Sequence, residues 1–136
     1  MLMNEMLLND KEIFAIAGYP ENYQDSVVLV LFYEQLSGAQ IRNLKVVDIE
    51  NVAKDFNFSQ ETESIIRNSL EETKYVGETS IYELKATEYV VRGAEDGPVS
   101  DKELSKRVRR MLDAAGYRNA SIDDVRKCGK DNKELK

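Results

Sequence analysis

The chain has 136 residues, which suits one domain, and its hydrophobic fraction of 42% is sufficient for a core. It contains no histidine and one cysteine, Cys128, which excludes a zinc site, a Ser-His-Asp triad, a Cys-His dyad and an internal disulfide within the chain. No apolar run approaches the roughly 18 residues of a membrane span, and the lone cysteine is typical of a reducing cytoplasm.

The charge is unevenly distributed along the sequence. A net charge of −6 argues against strong non-specific binding to nucleic acid. Residues 101–136, however, carry 11 Lys and Arg against 7 Asp and Glu. Such an asymmetry can mark a binding face, and it is also common by chance in small domains.

The first predicted element is a short amphipathic helix. Asn9 and Glu12 have the spacing of a capping box, and an apolar stripe follows them. Gly18 and Pro20 are predicted to end this helix, because neither residue favours its continuation.

The second predicted helix is apolar on every side. It begins at Asn22 or Asp25 and contains six consecutive apolar residues, Val27 to Phe32. A helix with no polar face belongs inside a core, so the rest of the chain is expected to pack around it. It continues through Leu36, and Gly38 is predicted to end it by adopting a left-handed conformation.

The next segments combine short helices with a strand tendency. A helix is predicted from Ala39 to Leu44, and Val46, Val47 and Ile49 indicate the start of a strand. The residues beyond Asp48 are interpreted as a short strand pair or an irregular segment. Later segments comprise a helix that Ser59 caps (60–75), closed by Gly77, and two β-prone runs (81–84, 89–91).

Two helices are predicted in the C-terminal part. Ser100 and Glu103 form a capping box for a helix from Asp101 to Ala115. Four of its basic residues are predicted to lie away from its apolar stripe: Lys102, Lys106, Arg109 and Arg110. A second helix is predicted from Ile122 to Cys128. The sequence therefore predicts a mainly helical α+β protein with one domain, residues 1–128, and a polar, frayed tail, residues 129–136.

The corner after the apolar helix resembles one family, the catalytic domain of tyrosine recombinases, also called phage integrases. In that family a buried helix leads into Gly-Leu-Arg-Ile-Ser-Glu and then Leu-x-x-x-Asp-Ile, and Leu44-Lys45-Val46-Val47-Asp48-Ile49 matches the second half. Ungapped alignment puts Ser37 at the family's first catalytic arginine and Gln40 at its glutamate. The resemblance implies an integrase-like helical core with a small, reduced sheet.

A second segment resembles the family's His-x-x-Arg box. It follows Ala115-Gly116-Tyr117, with Asp123 at the histidine position and Arg126 at the arginine position. The alternative interpretation is an ordinary first helical turn, with its acids favoured by the helix dipole and Arg126 exposed. No tyrosine follows Arg126, so the family's nucleophile has no counterpart, and Lys54 is a poor match for its catalytic lysine.

The resemblance therefore implies a protein that is not an enzyme: a repressor-like, DNA-associated regulator of a mobile element or prophage. We expect it to be cytoplasmic and to have no cofactor, metal ion, membrane partner or small-molecule substrate. Contacts with duplex DNA are predicted from eight basic residues: Arg42, Lys45, Lys102, Lys106, Arg109, Arg110, Arg126 and Lys127.

Other interpretations remain open. The chain could be a protein–protein interaction module that pairs with a recombinase, another partner or a second copy of itself without contacting DNA; the acidic balance favours this. The resemblance could also be accidental, in which case the basic residues of the Asp101–Ala115 helix form an ordinary solvated face.

Overall fold

The protein is a mainly helical α+β fold, as predicted, in a computed structural model that describes residues 8–134. Its elements, in chain order, are α1 (Asp10–Gly18), α2 (Tyr23–Tyr33), α3 (Gly38–Arg42), a 3-10 helix (Val46–Asp48), α4 (Ile49–Phe56), α5 (Gln60–Glu71), β1 (Lys74–Val76), β2 (Ile81–Glu83), α6 (Asp101–Ala114) and α7 (Ile122–Glu134).

Helix α2 is the centre of the core, and its predicted burial is confirmed. Every residue from Gln24 to Tyr33 is buried, and α1, α5, α6 and α7 all pack against this helix. Its apolar sequence on every side is explained by neighbours on every side. The carboxylate of Glu72 accepts hydrogen bonds from the backbone N–H groups of Tyr23 (2.6 Å) and Gln24 (2.8 Å), so it caps the helix.

The predicted C-terminus of α2 at Gly38 is wrong. The helix ends at Tyr33, Gln35 takes a positive φ of 87°, and Gly38 is already the first residue of α3. The reason is a complete capping box between Ser37 and Gln40, which starts a new helix here. The Gln35 side chain stabilises the turn by donating to the carbonyl of Tyr33 at 2.8 Å.

The predicted strand at Val46 and Val47 is also wrong. These residues form the 3-10 helix, and the only pairing of this segment within the described residues is an isolated bridge between Lys45 and Tyr89. The residues beyond Asp48, for which a short strand pair or an irregular segment was predicted, form α4 instead. Its apolar residues Ile49, Val52, Ala53 and Phe56 recur at helical spacing and pack against the core.

Helix α5 ends at Glu71, four residues earlier than predicted, because the next residues form a hairpin. β1 and β2 pair antiparallel, with Tyr75 opposite Tyr82. The two rings stack with centroids 5.3 Å apart, and Tyr75 is buried. The β-prone run at 89–91 forms no strand: Val90 is buried and donates its N–H to the carbonyl of Leu44.

Helix α7 continues to Glu134, so it does not end at Cys128 and residues 129–134 are not a frayed tail. Residues 135–136 of the predicted tail lie outside the described residues. Gly129 faces the end of α2 so closely that a Cβ atom would lie 1.6 Å from the carbonyl oxygen of Tyr33. Lys133 pairs with the buried carboxylate of Glu34 at 3.0 Å. These contacts supply partners for α2 and thereby hold the C-terminal residues in a helix.

No helix within residues 8–134 has both the length and the apolar character needed to cross a membrane.

Candidate functional site

The basic residues of α6 lie in three environments and not on a single exposed face. Lys102 and Lys106 are exposed, whereas Arg109 and Arg110 are half-buried. Arg107, which was not among the predicted contacts, is completely buried. The helix therefore carries cations in environments that differ greatly in their access to solvent.

Arg107 is part of the core. Its Nε donates to Glu103 at 2.8 Å and lies 4.0 Å from Asp25, and its Nη2 donates to the carbonyl of Arg92 at 2.8 Å. Its guanidinium also lies over the ring of Tyr75, 4.8 Å from the centroid. One sequence signal could have found it: Arg107 occupies a position on the same helical face as the buried Leu104 and Met111.

The acid that faces Arg107 has an unusual environment. Burial raises the pKa of Asp25 above its ordinary value, while the hydrogen bond from Tyr75 and the nearby charge of Arg107 act in the opposite direction. The Tyr75 hydroxyl donates to Asp25 at 2.7 Å. Burial, followed by this contact, raises the pKa of Tyr75 as well. This cluster connects α2, β1 and α6, which indicates a structural role.

Arg109 and Arg110 bind backbone carbonyls of neighbouring loops. Arg109 pairs with Asp113 at 2.9 Å and donates to the carbonyl of Tyr117 at 2.7 Å, and so fixes the turn that follows α6. Arg110 donates to the carbonyl of Val76 at 2.8 Å and pairs with Glu21. Removing either arginine would therefore take away hydrogen bonds within the chain as well as change the surface charge.

The two exposed lysines lie beside a groove between α6 and the start of α7. Its volume is about 540 Å³, and its apolar lining comes from Val108, Leu112 and Ile122. Lys102, Lys106 and Arg109 supply the cations, whereas Asp123 adds a carboxylate from α7. Within the described part of the chain, the side chains of Lys102, Lys106 and the exposed Lys127 make no ion pair.

Two further predicted contacts, near the corner after α2, are paired within the chain. Arg42 donates to Asp101, the first residue of α6, at 2.8 Å, and Lys45 pairs with Glu88 at 3.0 Å. Asp101, the partner of Arg42, directly precedes Lys102 in the sequence. This ion pair therefore connects the corner to the exposed end of α6 while using the charge of Arg42 internally.

The two segments that resemble integrase boxes lie next to each other. The guanidinium of Arg126 donates to the carbonyl of Leu36, beside Ser37, and to that of Gln35 at 3.5 Å. Arg126 is half-buried, so the alternative interpretation is wrong about its exposure, whereas Asp123 does lie exposed in the first turn of α7. The position of the family's first arginine, Ser37, serves as a helix cap.

The structure also places Lys54, the residue compared with the family's catalytic lysine. Lys54 is exposed on α4 and lies on no hairpin. Within residues 8–134, no group of three or more acidic, cysteine or histidine side chains could hold a metal ion. Comparison of the sequence with known protein families and with curated proteins finds no significant match.

Proposed function

We propose that this protein is a non-catalytic, integrase-like regulator that associates with duplex DNA through the exposed end of α6. The observation that carries the proposal is the pair Lys102 and Lys106, which are one helical turn apart, exposed, and without an ion pair to any residue that the structure describes. Ammonium groups that are left free beside paired arginines are available to phosphate oxygens. Lys127 on α7 would add a third contact.

The proposal includes the loss of recombinase chemistry. Phosphoryl transfer to DNA requires a nucleophile and clustered positive charge at the phosphate. Ser37 is engaged in capping α3, and the donors of Arg126 are directed to backbone carbonyls. Since Ser37 and Arg126 are engaged within the chain, the proposed role is to bind DNA through the exposed lysines without cleaving it.

The expected affinity is low and strongly dependent on salt. Each phosphate contact contributes about −0.9 to the slope of log K against log salt concentration, so three lysines give a slope of roughly −3. The net charge of −6 opposes DNA binding by surfaces other than that formed by Lys102, Lys106 and Lys127. Binding should therefore be measurable at low salt and weak at physiological salt.

The test is a fluorescence anisotropy titration of mixed-sequence duplex DNA over a series of salt concentrations. We expect Lys102→Glu/Lys106→Glu to reduce the affinity by roughly tenfold or more and to make the slope shallower by about 2. Lys11→Glu/Lys54→Glu is the matched control, because it changes the net charge equally at exposed lysines of α1 and α4.

Two outcomes would contradict the proposal. Equal loss in both double variants would mean that only net charge matters, and absence of binding by the wild type at the lowest salt would remove the function. Arg109→Glu/Arg110→Glu would be a less informative variant, because both arginines also stabilise loops.

A second candidate function is protein–protein interaction without DNA. The observation that favours it is the exposed apolar pair Val46 and Val47, of which Val47 is 82% exposed. Size-exclusion chromatography with light scattering should then detect an oligomer, or a complex with a recombinase, that Val47→Asp disrupts. A wild-type monomer that retains no partner would exclude this candidate.

A further inference from the structure

A second concave site lies between α1 and the C-terminal half of α6. It has a volume of about 410 Å³, and apolar side chains contribute much of its lining: Ala15, Ile16, Met111, Ala114 and Ala115. Three of these five residues are alanines, so their short side chains leave the space open. Both its volume and its apolar character are typical of sites for small organic ligands.

Arg110 supplies a fixed cation to this pocket. The guanidinium of Arg110 donates to the carbonyl of Val76 at 2.8 Å and lies 5.7 Å from the ring centroid of Tyr75. Its other contact is an ion pair with Glu21, whose side chain is 59% exposed. An ion pair with such an exposed carboxylate contributes little free energy and can be exchanged for another carboxylate.

Glu21 belongs to the short loop between α1 and α2, and hydrogen bonds anchor both ends of this loop. Ser26 donates to the carbonyl of Ala17 at 2.9 Å, and the side chain of Asn22 binds both the N–H and the carbonyl of Val76. Between these anchors, Tyr19 is 95% exposed, although it lines the pocket. A large aromatic ring beside an apolar pocket can gain burial when that pocket is filled.

Asp25 also lines the pocket, but its carboxylate already interacts with groups of the protein. It accepts a hydrogen bond from Tyr75 at 2.7 Å and lies 4.0 Å from the Nε of Arg107. Arg110 is therefore the group that a ligand anion would meet. Glu21 shows where a carboxylate sits against that guanidinium, in the pairing that arginine and carboxylate groups favour.

We propose that this pocket binds a small apolar carboxylic acid, whose carboxylate replaces Glu21 at Arg110 while its apolar part packs against α1 and α6 beneath Tyr19. This inference is independent of DNA binding. It is compatible with the sequence-based expectation of no small-molecule substrate, because the ligand is bound and not transformed. An aryl-alkanoic acid has the size and chemistry of the site.

The experiment is isothermal titration calorimetry with 3-phenylpropionate, and with the neutral 3-phenylpropanol as the matched ligand. Glu21→Gln frees Arg110 of its competitor and is expected to bind the acid roughly twofold to fivefold more tightly than the wild type. Glu83→Gln, an exposed acid on β2, is the control and should leave the affinity unchanged.

Two further variants remove the site in different ways. Arg110→Gln should abolish binding of the acid, but it also removes a bond to Val76 and could affect folding. Ala114→Leu retains Arg110 and fills the pocket from an exposed helical position, so it should abolish binding in a folded protein. The proposal is overturned if Glu21→Gln fails to bind millimolar 3-phenylpropionate, if Ala114→Leu binds it normally, or if the alcohol binds equally well.

Discussion

The arginines and the lysines of α6 carry the same charge, yet they have different structural roles. Arg107, Arg109 and Arg110 each bind acceptors within the chain, whereas Lys102 and Lys106 extend into solvent without an ion pair in the described residues. The planar guanidinium has five donors and can satisfy several carbonyls at once, and the ammonium group is strongly hydrated.

This comparison shows that a count of basic residues overstates the charge available to a partner. Of the eight contacts predicted from sequence, five bind acceptors in the same chain: Arg42, Lys45, Arg109, Arg110 and Arg126. The other three are Lys102, Lys106 and Lys127. Any DNA surface on this protein is therefore smaller than the sequence suggests, and four substitutions test the division.

The largest effect is expected from Arg107→Leu. Removing the guanidinium leaves the carboxylates of Asp25 and Glu103 without their buried partner, and losing one member of a buried pair costs about 3–5 kcal/mol. Urea denaturation followed by circular dichroism measures the change. A free energy of unfolding within about 0.5 kcal/mol of wild type would show that Arg107 is not structural.

Arg126→Ala should cause the next largest loss, because two carbonyls at the end of α2 lose their donor. Hydrogen bonds that involve a charged group contribute about 1.5–3 kcal/mol, so we expect destabilisation of about 2 kcal/mol in the same urea experiment. The neighbouring, exposed Lys127→Ala is the control. Equal effects of the two substitutions would break the distinction between arginines and lysines at this site.

The buried cluster should also give a recognisable pH dependence. Burial raises the pKa of Asp25, so the folded state favours its protonated form, and this residue adds stability as the pH falls from neutral towards its ordinary value of 3.8. The difference in unfolding free energy between wild type and Asp25→Asn should therefore move in favour of wild type as the pH is lowered. A difference that moves the other way would mean that Arg107 dominates and lowers the pKa.

The smallest effect is expected from Lys102→Gln/Lys106→Gln. Exposed side chains without packed contacts change stability by about 0.5 kcal/mol or less. The urea midpoint should therefore equal that of wild type, even where DNA affinity is reduced. Destabilisation of more than about 1 kcal/mol would place these lysines among the structural cations.

Much of the helical framework could be predicted because its signals are local. The caps at Asn9, Ser59 and Ser100 and the apolar run of α2 each identify an element from a few neighbouring residues. The strand prediction at Val46 is wrong because it follows from the β-branched residues there, whereas the helical spacing of apolar residues begins close by, at Ile49. The reduced sheet expected from the resemblance amounts, in the described residues, to one two-stranded hairpin.

The candidate site was harder to predict because its contacts are made with backbone atoms. Arg109 and Arg126 donate to carbonyls at helix ends and turns, whose positions depend on how distant segments pack. No residue pattern marks such an acceptor. Arg107 is different, because its spacing from Leu104 and Met111 places it on the buried face of α6 and can be recognised in the sequence.

The closure of α7 over the end of α2 joins segments that are far apart in the sequence. The contacts of Arg126 with Gln35 and of Lys133 with Glu34 join residues 91 and 99 positions apart. Closing such long loops is costly in chain entropy and slow compared with forming local helices. During synthesis, the carbonyls just after α2 cannot obtain these donors until α7 has been made, so hydrogen bonds with water take their place until then.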